Sequence, residues 1–441
     1  MNSSQTRRQF IGKTSLATAG IGLGLSLSAR TYAQSKGAND KLVFGVIGCG
    51  GISRHNVSKM MQLPGVEFAA VCDVDEKHME NGAEQITKAG RPEPKRYKDF
   101  RHLLEQKHID GVIINTPDHW HALPFIAACE AGKDIYCEKP ISHSFIEAKA
   151  MMNAASHFNR VVQVGTWQRS MNHFNEAINF VRSGKMGDIN ICRAWAVNDA
   201  ESRNSDIGKK TPETAPASLD YDFWLGPAPK RPYQANRAHY SWRWFFDYGG
   251  GLMTDWGVHM IDTVLLGMNQ FDPLTVSAAG GKFTTNDDRD TPDTMQATYR
   301  FPKWLLQWEN RFNNKRGLDC GKGHGAEFIG TKGTLIVDRD GYQYFPEKEG
   351  NEAPPPSKKQ DSTHWQNFVD CIKSRQKPAS DIDSMGRTTM LCHLGNIALQ
   401  TGKTLHWDVK KQDVTNRGDV KGCISYAREY RKPWKLKMYK A

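Results

Sequence analysis

Long hydrophobic runs are nearly absent from this chain of 441 residues, whose mean hydropathy is −0.61. This scarcity excludes a membrane protein with many spans. The chain also has no internal repeat. It has no long basic block either, because its 59 lysines and arginines alternate with 48 acidic residues. We interpret these charges as a solvated surface and expect no nucleic-acid partner. The hydrophobic share of 39% is typical of a globular protein, and the length favours two or three domains.

Cysteine pairs of the C-x-x-C type are also missing, although the chain has nine cysteines, an odd number. Cys49, Cys72 and Cys137 each lie in or beside an apolar run that is typical of a strand. The pattern therefore favours buried free thiols over a disulfide framework.

The first 33 residues have the features of an export signal. Residues 6–11 (TRRQFI) contain an arginine pair, a weakly apolar run rich in small residues occupies 14–28, and 31–33 (TYA) suit a signal peptidase. This order predicts a twin-arginine signal that is cleaved after Ala33. The other interpretation is a chance arginine pair before an amphipathic helix.

Twin-arginine export carries proteins that are already folded, so we expect a periplasmic protein that takes up any cofactor before export. Cleavage removes four positive charges and lowers the formal net charge from +11 to +7. With the signal gone, we expect no stable insertion into a membrane.

Short apolar runs alternate with helical patterns through the first half of the remaining chain. The pattern predicts strands at 41–47, 66–72, 111–115, 134–137 and 161–165, and helices at 52–62, 76–89, 99–106, 119–131 and 145–157. Continuous apolar runs suit strands that are covered on both faces. Strands separated by helices predict a doubly wound parallel sheet with right-handed crossovers, which is an α/β arrangement of the Rossmann type.

A glycine-rich turn follows the first predicted strand. Gly48, Gly50 and Gly51 would let a pyrophosphate approach the backbone, and the next helix would direct its free N–H groups at that anion. Ser53 departs from the strict G-x-G-x-x-G pattern but is small enough for close packing. Asp73 ends the second strand, where its carboxylate would bind both ribose hydroxyls and repel a 2′-phosphate, so NAD is favoured over NADP. The alternative interpretation is that the glycines form an ordinary turn and that Asp73 caps a helix.

The pattern changes after about residue 166. Strand-like runs now alternate or carry aromatics, at 189–197, 294–301, 304–310 and 333–337, and late helices are expected at 364–374 and 384–401. This predicts a C-terminal α+β domain with a largely antiparallel open sheet. We therefore divide the chain into a signal peptide (1–33), an NAD-binding domain (34–165) and a domain for substrate and oligomerisation (166–441).

Four motifs then identify a family. They are GVIGCG at 45–50, TPDHWH at 116–121, EKP at 138–140 and GGGLMTDWGVHMID at 249–262. With them the chain resembles the glucose–fructose oxidoreductase and inositol dehydrogenase (Gfo/Idh/MocA) family over nearly its whole mature length. The resemblance implies a dinucleotide-binding domain, a C-terminal open sheet and hydride transfer on sugars, polyols or related compounds. The export signal is also similar to that of periplasmic members.

Oxidation of a secondary alcohol requires a hydride acceptor, a base and a group that stabilises the alkoxide. Asp255 and His259 are spaced i, i+4 and would share one helix face. We assign His259 as the base in oxidation and the acid in reduction, with Asp255 orienting its imidazole, holding a substrate hydroxyl, or both. Lys139 follows a strand at its carboxyl end and would stabilise the alkoxide, or take the proton itself if its pKa were depressed.

The resemblance implies the same catalytic trio. Each member also has a plainer interpretation: His259 as a buried core histidine, Asp255 as a helix N-cap and Lys139 as part of a surface turn.

The other expected site residues fall into two groups. The cofactor set combines the glycine turn with the ends of later strands: Gly48, Gly50, Gly51, Ile52, Asp73, Asn115, Thr116, Pro117, His119, Glu138 and Lys139. The substrate set interleaves aromatic and polar groups, which suits a sugar: Trp167, Gln168, Arg169, Trp242 and Arg243. The alternative is that these aromatic residues belong to the core and that the arginine lies on the surface. We expect no metal, because neither a cysteine nor a third histidine completes the spaced pair His119 and His121.

Three functions follow from these residues. The first is an exported NAD-dependent oxidoreductase acting on a hydroxyl of a sugar, polyol or glycoside. Its cofactor would be tightly bound and recycled by a second substrate, because free NAD is scarce in the cell envelope. The alternative is an NAD-dependent glycoside hydrolase or lyase that works by transient oxidation, elimination and re-reduction. A non-catalytic cofactor-binding sensor is the third, and the intact trio argues against it. A homodimer or homotetramer is expected from an exposed face of the second sheet.

Overall fold

The computed structural model describes residues 41–198, 204, 206–314, 316–318, 321–355, 357–359 and 361–440. The predicted export signal, residues 1–33, lies outside these described residues. No helix in the described part of the chain combines the length and the apolar character that a bilayer crossing demands.

The first half forms a parallel sheet of six strands, which confirms the predicted doubly wound fold. Its strands are β1 (Leu42–Ile47), β2 (Val66–Cys72), β3 (Lys95–Tyr97), β4 (Gly111–Ile114), β5 (Asp134–Cys137) and β6 (Val162–Val164). Their order in the sheet is β3-β2-β1-β4-β5-β6, and every neighbouring pair is parallel. The strand order therefore reverses between β1 and β4, the point where doubly wound sheets bind ligands.

Helices connect these strands. They are α1 (Gly51–Met61), α2 (Glu76–Lys88), α3 (Phe100–Leu104), α4 (Asp118–Glu130) and α5 (Phe145–His157). Three of them begin at a side chain that accepts a backbone N–H, at Asp75, Asp99 and Ser144. By contrast, α1 begins without such a cap, so its first N–H groups stay open to a ligand.

The second half builds a sheet of ten strands, in the order β14-β13-β12-β11-β7-β10-β9-β8-β15-β16. Its strands are β7 (Ile189–Val197), β8 (Thr275–Gly281), β9 (Thr294–Arg300), β10 (Leu305–Arg311), β11 (His324–Gly330), β12 (Gly333–Asp338), β13 (Gly341–Pro346), β14 (Ser357–Lys358), β15 (Leu405–Asp408) and β16 (Asp413–Val414). Among the described residues of this sheet, only β7 and β10 pair in parallel, so its predicted, largely antiparallel character is confirmed.

The helices of the second half are α6 (Asn172–Arg182), α7 (Tyr221–Leu225), α8 (Gly251–Asp255), α9 (Gly257–Met268), α10 (His364–Ser374), α11 (Ile382–Thr401) and α12 (Arg417–Val420). Two short 3₁₀ turns cover Trp167–Ser170 and His239–Trp244. Helix α9 is buried on nearly all sides, as its apolar composition requires.

One cluster of buried side chains runs through both halves. It joins Ile114 and Cys137 of the first sheet to Ile261 of α9 and Leu394 of α11. Because this core is continuous, the residues of α8 and α9 are held in a fixed position against the first sheet.

Candidate active site

The glycine turn after β1 forms a cradle in front of α1. Gly48 has a φ of +86°, and a Cβ at this position would lie 2.7 Å from the backbone nitrogen of Thr116. A Cβ at Gly50 or Gly51 would meet no heavy atom within 4 Å. The first turn of α1 therefore faces open space with uncapped N–H groups, which is the arrangement that binds a phosphate.

A cavity of about 540 Å³ extends from this cradle. Its walls carry ten of the eleven predicted cofactor residues: Gly48, Gly50, Gly51, Ile52, Asp73, Asn115, Thr116, Pro117, Glu138 and Lys139. The Nδ2 of Asn115 and the Oγ1 of Thr116 are buried without a hydrogen-bond partner in the described residues. A buried polar atom normally has a partner, so these two atoms fit a polar ligand in the cavity. The residues present therefore fit a dinucleotide.

Asp73 lies at the end of β2 on the cavity wall. Its Oδ2 accepts a hydrogen bond from the backbone N–H of Cys49 at 2.7 Å, and its Oδ1 accepts one from that of Asp75 at 2.9 Å. Burial raises the pKa of this carboxyl, and the two backbone donors oppose the rise. The carboxylate is thus fixed beside the glycine turn, where a ribose would lie in a doubly wound domain.

His119 is the one predicted cofactor residue that does not line the cavity. It is fully buried, and its Nε2 lies 2.9 Å from the carbonyl oxygen of Trp224. Burial lowers its pKa to about 3, so the ring is neutral. The indole N–H of Trp120 donates to the same carbonyl at 2.8 Å. His119 therefore supports Trp120 and Trp224, which do line the cavity.

Lys139 and Asp255 form an ion pair between the two halves of the chain. Lys139 follows β5, and its Nζ donates to the Oδ1 of Asp255 at 2.7 Å and to the carbonyl oxygen of that residue at 2.9 Å. The Nε of Arg243 lies 3.4 Å from the same Oδ1. Burial would raise the pKa of Asp255, but Lys139 and Arg243 together outweigh it and hold the pKa at about 2. The carboxylate is therefore ionised and binds two cations.

His259 is not oriented by Asp255. Helix α8 ends at Asp255 and α9 begins at Gly257, so the two side chains do not share a continuous helix, and no hydrogen bond joins them in the described residues. Asp255 caps neither helix, because the N-caps are Gly250 and Trp256. The expectation that Asp255 holds the imidazole is thus corrected by the break at Trp256.

The imidazole of His259 is poised as a neutral base. Its exposed fraction is 4%, and neither ring nitrogen has a hydrogen-bond partner among the described residues. Burial lowers its pKa well below the ordinary value, and the positive charges of Arg339 and Lys139 lower it further. A neutral imidazole has a free lone pair, so His259 can accept a proton at neutral pH.

The predicted substrate residues divide into two sets. Trp242 and Arg243 line the cavity, whereas Trp167, Gln168 and Arg169 do not. The guanidinium of Arg169 donates to both oxygens of Asp262, at 2.7 and 2.6 Å, and both side chains are buried. Arg169 thus ties the end of the first half to α9, and this pairing argues against the substrate contact expected from the sequence.

Sequence reasoning missed several cavity residues. Asp118 begins α4 and lines the wall; burial raises its pKa well above the ordinary value, although Arg243 opposes the rise. The motif at 116–121 contains Asp118, and its position directly after a strand was the available signal. Phe223, Trp224 and Tyr240 also line the cavity, from a segment that carries no motif.

A cluster of possible metal ligands includes two residues of the cavity wall, His78 and His239. Asp75, His78 and His239 place one ligand atom each within 4.8 Å of one another. The Nε2 of His239 lies 3.0 Å from the Oδ2 of Asp75, and this hydrogen bond explains their approach. The histidine pair considered from the sequence is not arranged for a metal, since both ring nitrogens of His121 face backbone carbonyls, at 2.7 and 2.8 Å.

Two family models match the chain. One, described as oxidoreductase family, NAD-binding Rossmann fold, matches residues 42–166. The other, described as oxidoreductase family, C-terminal alpha/beta domain, matches residues 203–436. Both are models of the Gfo/Idh/MocA type, and together they cover most of the chain.

Individual proteins are also similar. A glycosyl hydrolase family 109 protein of Shewanella putrefaciens is 28% identical over 227 residues, which are 46% of this chain and 49% of the relative. An alpha-N-acetylgalactosaminidase of Shewanella oneidensis is 26% identical over 226 residues, with the same coverage of 46% and 49%. The match thus spans about half the length of these curated relatives.

Among solved structures, a levoglucosan dehydrogenase in complex with NADH and levoglucosan superposes with a TM-score of 0.64. The superposition covers 83% of this chain and 99% of the dehydrogenase, at 18% sequence identity. At this identity the likeness concerns the fold.

Proposed function

The chain belongs to the Gfo/Idh/MocA family of NAD(P)-dependent oxidoreductases, and from that premise we propose that it oxidises a hydroxyl of a sugar, polyol or glycoside, with NAD as its cofactor. The observation that carries this proposal is the ion pair between Lys139, which lines the cavity, and Asp255. The charge of Lys139 also acts on the neutral imidazole of His259. The two halves of the chain thereby bring an ammonium, a carboxylate and an imidazole to one place.

When bound, a nicotinamide supplies the hydride acceptor that alcohol oxidation needs. The chain supplies the remaining parts. The ammonium of Lys139 uses two donors on Asp255 and has a third for the substrate oxygen, where it stabilises the alkoxide. His259 takes the hydroxyl proton, because its imidazole is uncharged and has no competing partner in the described residues.

Tight retention of the cofactor is supported by a segment that we name the strap, residues 216–244. The backbone N–H of Glu76 donates to the carbonyl of Ser218 at 2.8 Å, and that of Asp220 donates to the carbonyl of Val74 at 2.9 Å. Aromatic residues of the strap line the cavity. Because the strap is bonded to the loop after β2, a dinucleotide held there would leave only when these bonds open.

Asp73 supports NAD over NADP in this proposal. Its carboxylate is fixed by two backbone donors and accepts further hydrogen bonds from ribose hydroxyls, whereas a 2′-phosphate would meet a like charge. Lys98, a cation on the same cavity, is paired with Glu76 at 2.6 Å.

Export and assembly belong to the same proposal. The arginine pair at residues 7 and 8 supports twin-arginine export of the folded, cofactor-loaded protein to the periplasm, without lasting insertion into the membrane. Alternate residues of β9 and β10 are partly or fully exposed, which leaves one face of the large sheet open for a second copy of the chain. The partners are then a small carbohydrate and another subunit, with no nucleic acid.

A second candidate function is a glycosidase that oxidises its substrate only transiently. The curated relatives named above favour it, and so does Asp118, a carboxyl on the cavity wall whose pKa is raised by burial, as suits a group that exchanges protons. A ketone on the sugar ring acidifies the neighbouring C–H, and elimination then releases the aglycone and leaves a double bond. Water adds to this double bond, and return of the hydride reduces the ketone to the hydroxyl, so that the product is the free sugar. The two candidates therefore share the first step and differ in their products.

The experiment that tests the proposal begins with denaturation of the purified protein and identification of any released dinucleotide. The native protein is then mixed with a panel of glycosides. Stoichiometric formation of NADH supports the dehydrogenase, and release of free sugar without net NADH supports the glycosidase. The proposal fails if the protein contains no dinucleotide and does not take up NAD(H) in a fluorescence titration.

A further inference from the structure

An arginine lies between two tryptophans beside the proposed catalytic residues. The Cζ of Arg339, directly after β12, is 4.6 Å from the ring centre of Trp167 and 4.5 Å from that of Trp256. Trp256 joins α8 to α9, so it is the direct neighbour of Asp255 in the chain. The charge of Arg339 also acts on the imidazole of His259, the proposed base.

This guanidinium has no carboxylate partner in the described residues. One of its nitrogens, Nη2, donates to the Oε1 of Gln168 at 3.2 Å, and its Nε is buried without a partner. Burial lowers its pKa to about 10, so the group remains charged at neutral pH. An arginine has five N–H donors in a planar fork, and most of these are unused here.

The nearby acidic residues do not supply a negative charge that pairs with Arg339. Asp338 and Asp340, on either side of Arg339, lie 3.3 and 3.1 Å from the ammonium of Lys322. Asp255 is already shared between Lys139 and Arg243.

The same patch holds two more polar side chains with an unused nitrogen. The ring of His324, at the start of β11, lies 4.7 Å from the ring of Trp256, and its Nε2 is buried without a partner. The Nε2 of Gln168 is also buried and unpartnered among the described residues. Unpartnered nitrogens of this kind around a charged fork match a planar anion with two oxygens better than a neutral hydroxyl.

We propose that Arg339, with Gln168 and His324, binds the carboxylate of an acidic sugar. This inference rests on the proposed function and narrows its substrate class to uronic acids and their glycosides. Charge supports it: Lys139 and Arg243 share the carboxylate of Asp255, whereas Arg339 has no carboxylate partner in the described residues, so a substrate carboxylate would supply the anion that pairs with Arg339. The partly exposed Trp167 and Trp256 add apolar faces against which a sugar ring can stack.

Calorimetric titration of the purified, dinucleotide-loaded protein with D-glucuronate and with D-glucose tests this assignment. We expect the wild type to bind glucuronate at least about tenfold more tightly, the scale of one charged hydrogen bond. Arg339→Gln should lose this preference and retain its weak binding of glucose. Arg316→Gln, which changes an exposed arginine, should keep the preference of the wild type.

Arg339→Lys is the second variant, since it keeps the charge but loses the fork, and it should retain only part of the preference. Melting temperatures identify any variant that fails to fold.

Equal affinity for the two sugars in the wild type, absence of binding to both, or an unchanged preference in Arg339→Gln or Arg339→Lys would each overturn the inference. Turnover of neutral glycosides without preference for acids would overturn it and leave the proposed function standing. A protein without dinucleotide would instead remove the proposed function, while the affinity comparison still decides the role of Arg339.

Discussion

At the residue scale, the proposed oxidation depends on a histidine that stays neutral inside the protein. His259→Ala should leave NAD affinity nearly unchanged and reduce turnover by about 10² or more, the usual contribution of a general acid–base residue. His108→Ala, at an exposed histidine, is the matched control. Steady-state rates and fluorescence titration of both variants measure the effect, and turnover that is unchanged in His259→Ala would refute the assignment.

The pH dependence of oxidation follows from the same residue. Burial lowers the pKa of His259, so the base remains unprotonated as the pH falls through about 6.5, where an ordinary histidine would take up a proton. The rate of sugar oxidation should therefore not fall between about pH 8 and pH 6.5, and its acid limb should lie lower. If kcat/KM instead falls on the acid side with a midpoint near pH 6.5, the pKa of His259 is not lowered and the prediction is wrong.

Cofactor choice is also decided at one residue. Asp73→Ser removes the carboxylate that would bind the ribose, and we expect NAD affinity to fall about tenfold, the scale of one charged hydrogen bond, while NADP affinity rises. Asp188→Ser, at an exposed acid, should leave both unchanged. Titration of each variant with NADH and NADPH measures the two affinities. Retained discrimination in Asp73→Ser would show that another group selects the cofactor.

At the scale of elements, the strap should control how fast the cofactor leaves. His239→Ala removes the hydrogen bond to Asp75 at 3.0 Å, which contributes about 1 kcal/mol, so NADH release should become about fivefold faster. Lys230→Ala, also in the strap but exposed, is the control. Stopped-flow fluorescence with excess competing NAD gives the release rates. Equal rates in His239→Ala and the wild type would remove the strap from cofactor retention.

Elements with a strong local pattern could be predicted from the sequence. Helix α5 and strand β7 have the bounds that their apolar spacing indicated, because both have long, regular buried stretches. Strand β3 was missed, since its three residues are mostly exposed and carry no apolar run. Strands β8 and β11 were also missed; each contains glycines that weaken the strand pattern.

The site shows the same limit. The glycine turn and Asp73 lie within one contiguous strand–helix–strand pattern, so their convergence was predictable. Packing between distant segments determines the helix break at Trp256 and the burial of Arg169 against Asp262. Spacing along the chain therefore could not predict either feature. Arg339 reaches the site from the end of β12, for which the sequence has no motif.

At the scale of the whole molecule, the C-terminal segment fastens the second half to the first. The guanidinium of Arg428 and the carboxylate of Glu147 in α5 are 2.7 Å apart and almost fully buried. Trp434 stacks on Phe223 of the strap and lies against Trp120 of the cavity wall. The end of the chain therefore supports the cavity from outside.

Loss of one partner in a buried ion pair leaves the other charge uncompensated. Arg428→Met should thus lower the free energy of unfolding by about 3 kcal/mol, whereas Lys435→Met, at an exposed position of the same segment, should change it little. Urea denaturation at saturating NAD measures both. A loss in Arg428→Met no larger than in the control would show that the segment is not held by this pair.

The most direct measurement is the near-ultraviolet nicotinamide absorbance of the dinucleotide-loaded protein, together with free-sugar release, after a single mixing with the glycoside panel. We expect a change in absorbance or release of free sugar in the wild type and the loss of both in Lys139→Met, with the dinucleotide still bound in both proteins. A response of the same rate and amplitude in Lys139→Met would contradict the claim that the two halves of the chain act on one substrate through this lysine.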